Sequence, residues 1–215
     1  MSEFLPGPEL GPQRDAIRQQ YDCGKDFGGN FTNCIREVIQ DLSFTCNTRN
    51  LFDSYPEISY MMEYAFPLPA LAVHASDLIP LFANSKAEGV ALLELSGVEP
   101  WQAQLYGEML TSYITPRYQN YFASFALAGD PNALPFNPPV TWPVADGSED
   151  KLSNVVRVQA PLGQEPFVLA SDDQNSKSKC DFWTNIAESI VGGADHTSAH
   201  QKLLLKQAQG HLIDL

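Results

Sequence analysis

Proton transfer to and from a hydroxyl at neutral pH needs a group that titrates there, and histidine is the side chain that does so unperturbed. His74 ends the stretch PLPALAVH, whose prolines suit neither a helix interior nor a central strand, so it reads as loop. Ahead of it, residues 58–66, ISYMMEYAF, form an aromatic-rich run between Pro56 and Pro67 that reads as a buried strand. Asp77 lies three residues beyond the histidine and is expected to start a short helix ending at Phe82 rather than to serve as its acid. A histidine taken by itself is more often a core or surface residue. A loop at a strand's end is nonetheless a place from which a ring can be aimed for acid–base work.

A base of this kind serves a nucleophile. A serine in GxSxG would sit on a tight strand-to-helix turn whose flanking glycines relieve steric clash. Only two glycine pairs have that spacing: Gly7 and Gly11 enclose Glu9, while Gly24 and Gly28 enclose Asp26. Neither centres on serine, and no glycine-rich segment offers oxyanion donors. Cys23, Cys34, Cys46 and Cys180 contain no CxxC pair, so neither a metal site nor a cofactor is expected. These four allow three full pairings, and four reduced thiols is an equally open reading of the residues alone. Asn30-Phe31-Thr32 is a glycosylation acceptor if the chain meets the secretory pathway.

Helical elements must position these groups. A first helix is expected over 12–21 and a second from Asn30, with Cys34, Ile35, Val38, Ile39, Leu42 and Cys46 recurring on its buried face. Residues 86–97 give mixed signals and read as a short irregular segment. Pro100 opens a long helix that Pro116 should kink and Gly129 should close. Pro135, Pro138, Pro139 and Pro143 impose an extended stretch, after which VVRVQ and EPFVLA flank Gly163 as a hairpin. A last helix over 182–191 is expected to stop at Gly192 and Gly193.

The chain of 215 residues is 44% hydrophobic, enough for one core over 1–193, followed by a tail over 194–215. Its 13 basic and 26 acidic residues give a formal charge of -13, which repels a phosphate backbone and argues against nucleic acid as partner. No apolar run approaches the roughly 18 residues of a membrane span. The N-terminal MSEFLPGPELGPQRD lacks a basic start followed by an apolar block, so taken alone Met1 implies a cytosolic product.

Four stretches in order, LPALAVHASDLIPLF, FASFALAGDPNAL, the Trp142-Pro143 pair and CDFW at 180–183, resemble the C-terminal third of type B carboxylesterases and lipases. The resemblance covers about 51–190 and implies the C-terminal portion of an α/β-hydrolase fold, a partial, mostly parallel sheet with flanking helices. In that family the triad runs serine, acid, histidine along the chain. His74 matches the histidine, general base and then general acid. The family's upstream acid has no counterpart, since Glu3 and Glu9 have the wrong neighbours. Cys46 and Cys180 look like the family's disulfide, which leaves Cys23 with Cys34 and puts the product in an oxidising, extracellular compartment.

Two readings follow from the resemblance. One is the C-terminal part of a secreted serine esterase acting on small-molecule carboxylic esters when complete, with Phe66, Leu68, Leu71, Leu78 and Phe82 as pocket walls or, residue by residue, ordinary core. The other is a non-catalytic binding or interaction protein. Pairing with a separately encoded N-terminal half would also cover the sheet edge the missing strands leave open. Either way this chain alone is expected to be inactive.

Overall fold

The structure is a computed structural model that describes residues 11, 13–67, 75–135, 137–160 and 163–193, with side chains as far as 190. In chain order the elements are α1 Arg14–Gln20, α2 Phe31–Gln40, α3 Cys46–Ser54, β1 Met62–Tyr64, α4 Leu78–Phe82, α5 Lys86–Leu95, α6 Pro100–Met109, α7 Thr115–Ala128, β2 Leu152–Val158, β3 Phe167–Asp172 and α8 Lys177–Gly193. Single π turns, Asp41–Thr45 and Leu110–Ile114, join α2 to α3 and α6 to α7. The chain divides into two compact units, Met1–Ser54 with Gln174–Leu215, and Tyr55–Asp173. No helix among the described residues is long and apolar enough to cross a membrane.

In the first unit, α2 starts where the sequence puts it. Gly28 and Gly29 take positive φ of 57° and 79°, and the turn they make delivers Asn30 as N-cap, its side chain accepting from the Asn33 amide at 3.1 Å. Cys34 and Val38 are buried as the periodicity requires, but Ile39 and Leu42 are 36% and 41% exposed. Leu42 lies in the π turn, whose extra residue per turn rotates the helix face and turns Asp41 and Thr45 inward, whereas Ile39 precedes it within α2. Cys46 returns to the buried side, where it bridges Cys180 of α8 across a Cα separation of 4.9 Å. Cys23 bridges Cys34 across 5.4 Å. The inward Asp41 carboxylate, 1% exposed, accepts from Tyr21 Oη at 2.8 Å and pairs with Lys179 Nζ at 2.9 Å. Trp183 Nε1 donates to the same Tyr21 oxygen at 2.7 Å, so the buried charge is both paired and hydrogen-bonded. Helix α8 starts earlier than expected because Ser176 Oγ caps the Lys179 amide, and it continues through Gly192 and Gly193 rather than stopping at them.

In the second unit the strand order is β1-β2-β3, with β1 parallel and β3 antiparallel to β2. The sheet is therefore mixed rather than mostly parallel. Leu152, Val155, Val156 and Val158 of the central β2 are fully buried, as a strand with neighbours on both edges demands. A register shift between Leu152 and Val155 is absorbed by Asn154 at φ 60°, the left-handed value that asparagine tolerates. The expected hairpin of β2 and β3 forms, with Gly163 at φ 76° in its connection. Strand β1 is shorter than the 58–66 run implied, three residues long. Residues 86–97 are no irregular segment. Ser85 Oγ accepts from the Glu88 amide at 3.2 Å while Glu88 Oε2 accepts from Asn84 N at 2.8 Å, a reciprocal cap that starts α5. Pro116 makes no isolated kink: the π turn Leu110–Ile114 comes first, and α7 restarts with the proline in its first turn, where no amide is needed. Gly129 ends α7 at φ 72° as expected.

The Asn30 cap can be measured. Made in a host without N-glycosylation, Asn30→Ala is expected to lower stability by about 1 kcal/mol in urea titration, and Asn30→Asp, which keeps the accepting oxygen, to change it little.

Candidate active-site frame

His74 lies in 68–74, outside the described residues, together with Leu68 and Leu71; His196, His200 and His211 lie outside them as well. What the structure describes is the frame that holds both ends of this segment. On the upstream side β1 runs beside β2 in parallel register, Met62 against Val156 and Tyr64 against Val158, and the Ala65 amide extends the pairing to Val158 O at 2.8 Å. Glu63 and Arg157, partners in that register, form a half-buried ion pair at 2.7 Å. Phe66 follows, fully buried, and a cis peptide leads into Pro67. Phe66 is thus core rather than pocket wall.

On the downstream side Ala75 takes φ 65°, a left-handed conformation that costs a non-glycine residue about 1–2 kcal/mol. The carbonyls of Ala75 and Ser76 accept from the amides of Leu78 and Ile79 at 3.1 and 3.2 Å, so the chain turns into α4 directly after the histidine position. Asp77 occupies the N-cap position of α4 without a side-chain cap bond. Leu78 and Phe82 are 45% and 65% exposed. Gln119 of α7 fixes the far end of α4: its Nε2 lies 3.2 Å from the carbonyls of Pro80 and Leu81 and 3.4 Å from that of Ala83. Five residues make a helix too short to hold itself, and these donors satisfy carbonyls it leaves open.

The family-like stretch 122–134 explains itself as scaffold. Past the Gly129 cap, Asp130 Oδ1 accepts from the Asn132 backbone amide at 2.8 Å, and the Ser124 hydroxyl donates to Asp130 O at 2.7 Å while accepting from Leu134 N at 3.0 Å. The Asn132 carboxamide then binds the backbone of Trp142 twice, accepting from its N–H and donating to its C=O, each at 2.8 Å. It does for Trp142 what a neighbouring strand would do. Trp142 Nε1 in turn donates to Met61 O at 3.1 Å, at the threshold of β1. Tyr121 packs edge-on against the same indole, ring centroids 5.4 Å apart, and its hydroxyl donates to Val140 O. This stretch therefore positions the strand that precedes residues 68–74.

Aromatic rings fill the space behind that strand. Tyr64 meets Tyr118 edge-on at 6.1 Å, and Tyr118 stacks on Phe122 at 4.8 Å. Burial holds both phenols well above their ordinary range, and the Asp77 charge adds to it in each. Neither ionises near neutrality, so they contribute shape and polarity rather than acid–base chemistry. Among the described residues no group of three or more histidine, cysteine, aspartate or glutamate side chains is arranged to hold a metal ion.

No family model matches the chain, and no solved structure matches it. Its sequence is 33% identical over 154 residues to a secreted lipase of Arthroderma benhamiae, the match covering 69% of this chain and 25% of that lipase. The chain is thus related over part of its length to a secreted fungal lipase, and spans about a quarter of that relative.

Two measurements test the frame. Asn132→Ala removes both bonds to Trp142 and is expected to destabilise the second unit by about 1–3 kcal/mol, read by denaturant unfolding followed through tryptophan fluorescence. The buried phenols also set an alkaline limit. Tyr64 and Tyr118 keep their protons in the folded state, whereas unfolded phenols lose them near 10.0. Stability is then complete below that pH and falls above it, by about 1.4 kcal/mol per pH unit for each such tyrosine. Urea midpoints between pH 8 and 11 would show it.

Proposed function

We propose that this chain is the histidine-bearing part of a secreted serine carboxylic-ester hydrolase, with residues 1–193 contributing to its α/β-hydrolase domain. The observation that carries the reading is the match to a secreted lipase, and the histidine in LPALAVHASDLIPLF agrees with it. Two disulfides within the first unit suit a protein that matures in an oxidising compartment. The nucleophilic serine and the triad acid belong to chain beyond these 215 residues, which hold no serine-centred GxSxG.

His74 has a defined task in this chemistry. As base it takes the proton of the serine hydroxyl while the oxygen attacks the ester carbonyl, and as acid it returns that proton to the departing alcohol. The acyl-serine ester is then cleaved by water, whose proton follows the same route. The substrates are small-molecule carboxylic esters. Leu78 and Phe82, exposed a few residues after His74 in the chain, are the described apolar side chains best placed to meet the ester's hydrocarbon part.

Fluorophosphonates phosphonylate only an activated serine. The 215-residue chain by itself is expected to remain unlabelled, and stoichiometric labelling would show that one of its own serines is the nucleophile. The product recovered from its source is expected to exceed 23.7 kDa and to label. His74→Ala in that product should slow labelling and ester hydrolysis by about 10³-fold or more with the disulfides intact. Undiminished labelling of the variant would remove His74 from the mechanism.

A further inference from the structure

We propose that Asn30 is an N-glycosylated residue whose amide serves two ends at once, its oxygen capping α2 and its nitrogen carrying the glycan. The proposal rests on the secretory reading above. Asn30-Phe31-Thr32 has the acceptor pattern, and both Asn30 and Thr32 are exposed. Many such triplets are unusable in a folded chain because the asparagine is buried or both ends of its amide are engaged. Here Oδ1 is committed, since it accepts from the Asn33 N–H at 3.1 Å, and that bond also fixes which end of the amide is oxygen. Nδ2 is the other end of that exposed amide, and it has no hydrogen-bond partner among the described residues.

The chemistry leaves the cap in place. Nδ2 loses one proton and bonds the anomeric carbon of an oligosaccharide carried on a polyisoprenyl pyrophosphate, and the pyrophosphate departs with the electron pair of the broken C–O bond. The product is still an amide, with its carbonyl oxygen free to accept from Asn33. Glycan and helix cap are therefore compatible in the same residue.

Position also sets the order of events. The triplet lies inside the ring closed by Cys23–Cys34, a sequence separation of 11, and ends two residues before Cys34. A transferase needs the acceptor accessible and extended, whereas in the folded chain Phe31 and Thr32 already belong to α2. Transfer thus precedes the winding of Phe31 and Thr32 into α2, and removing the bridge that encloses them with Cys23→Ser and Cys34→Ser should hold or raise occupancy at Asn30, never lower it.

The test uses the protein as its source makes it. Peptide N-glycosidase treatment in ¹⁸O water converts a glycosylated Asn30 to an ¹⁸O-labelled aspartate, and alkylation before reduction reads the four cysteines in the same digest. Oxidised cysteines with labelled Asp at this position support the proposal. Oxidised cysteines with unmodified Asn30 overturn it and leave the secretory reading standing. Free thiols together with unmodified Asn30 overturn both. In a secreting eukaryotic host, Thr32→Ala keeps the Asn30 cap and should abolish the glycosidase-sensitive mass while leaving the urea midpoint of the deglycosylated protein unchanged. A mass loss that persists in Thr32→Ala would place the glycan elsewhere.

Discussion

The second unit depends on one side chain standing in for a strand. Between α7 and β2 the chain passes through Pro135, Pro138, Pro139 and Pro143, residues that remove amides and resist regular pairing. Left to itself such a run has no means of fixing its own course. The Asn132 carboxamide supplies it by binding both backbone groups of Trp142, and the indole then reaches Met61 O. Three consequences come from that one clamp: Trp142 is buried among Tyr121, Tyr60 and Phe122, the entry to β1 is tied to the core, and β1 can lie parallel to β2. The parallel pairing has no hairpin to hold it, so anchors outside the strand matter more than its three residues.

The first unit solves a related problem with covalent bonds and one buried charge. Its helices other than α8 are short, and a core built on Ile17, Tyr21, Val38, Trp183 and Ile186 is small for independent stability. The Cys46–Cys180 bridge closes a separation of 134 residues and so removes much of the freedom of the unfolded chain. Asp41 is the costly member. It is brought inside by the π turn, and it is tolerated because Lys179, Tyr21 and, through the tyrosine, Trp183 complete its surroundings. Lys179 and Trp183 flank Cys180 on α8, so the bridge and the polar network fix the same helix from adjacent positions.

What the sequence disclosed, and what it hid, follows from the range of the interactions involved. Local signals were readable: the Asn30 start, the Gly129 stop, the hairpin at Gly163 and the inward faces of Cys34 and Cys46 all depend on residues a few positions apart. The face assignment fails at Leu42, where the π turn intervenes: the residue obeys the spacing and the helix does not. Helix α5 was missed because its reciprocal cap, Ser85 with Glu88, sits ahead of residues with little amphipathic contrast. Gln119 and Asn132 carry no sequence signature as clamps: their partners are backbone groups 10 to 39 residues away, which no spacing announces. A glycine-aspartate-proline-asparagine run does advertise a turn. It does not say that the asparagine will bind a tryptophan ten residues on.

For the general base proposed above, the frame sets limits. Pro67 is buried at one end of residues 68–74, and at the other Ala75 is committed to a left-handed turn whose carbonyl is already bonded to Leu78. A general base must hold its ring within hydrogen-bond reach of a hydroxyl, and displacement by about 1 Å is enough to cost two orders of magnitude in rate. Fixing both ends of a seven-residue segment against a half-buried strand and a pinned helix shortens the list of places its histidine can reach. The cost of Ala75's conformation is tolerable because α4 cannot drift: its carbonyls are held by Gln119, on a helix whose own core residues include Tyr118 and Tyr121. Strain at Ala75 and rigidity behind it are then parts of one arrangement, in which Gln119 and the Asn132–Trp142 clamp hold the described chain on both sides of residues 68–74.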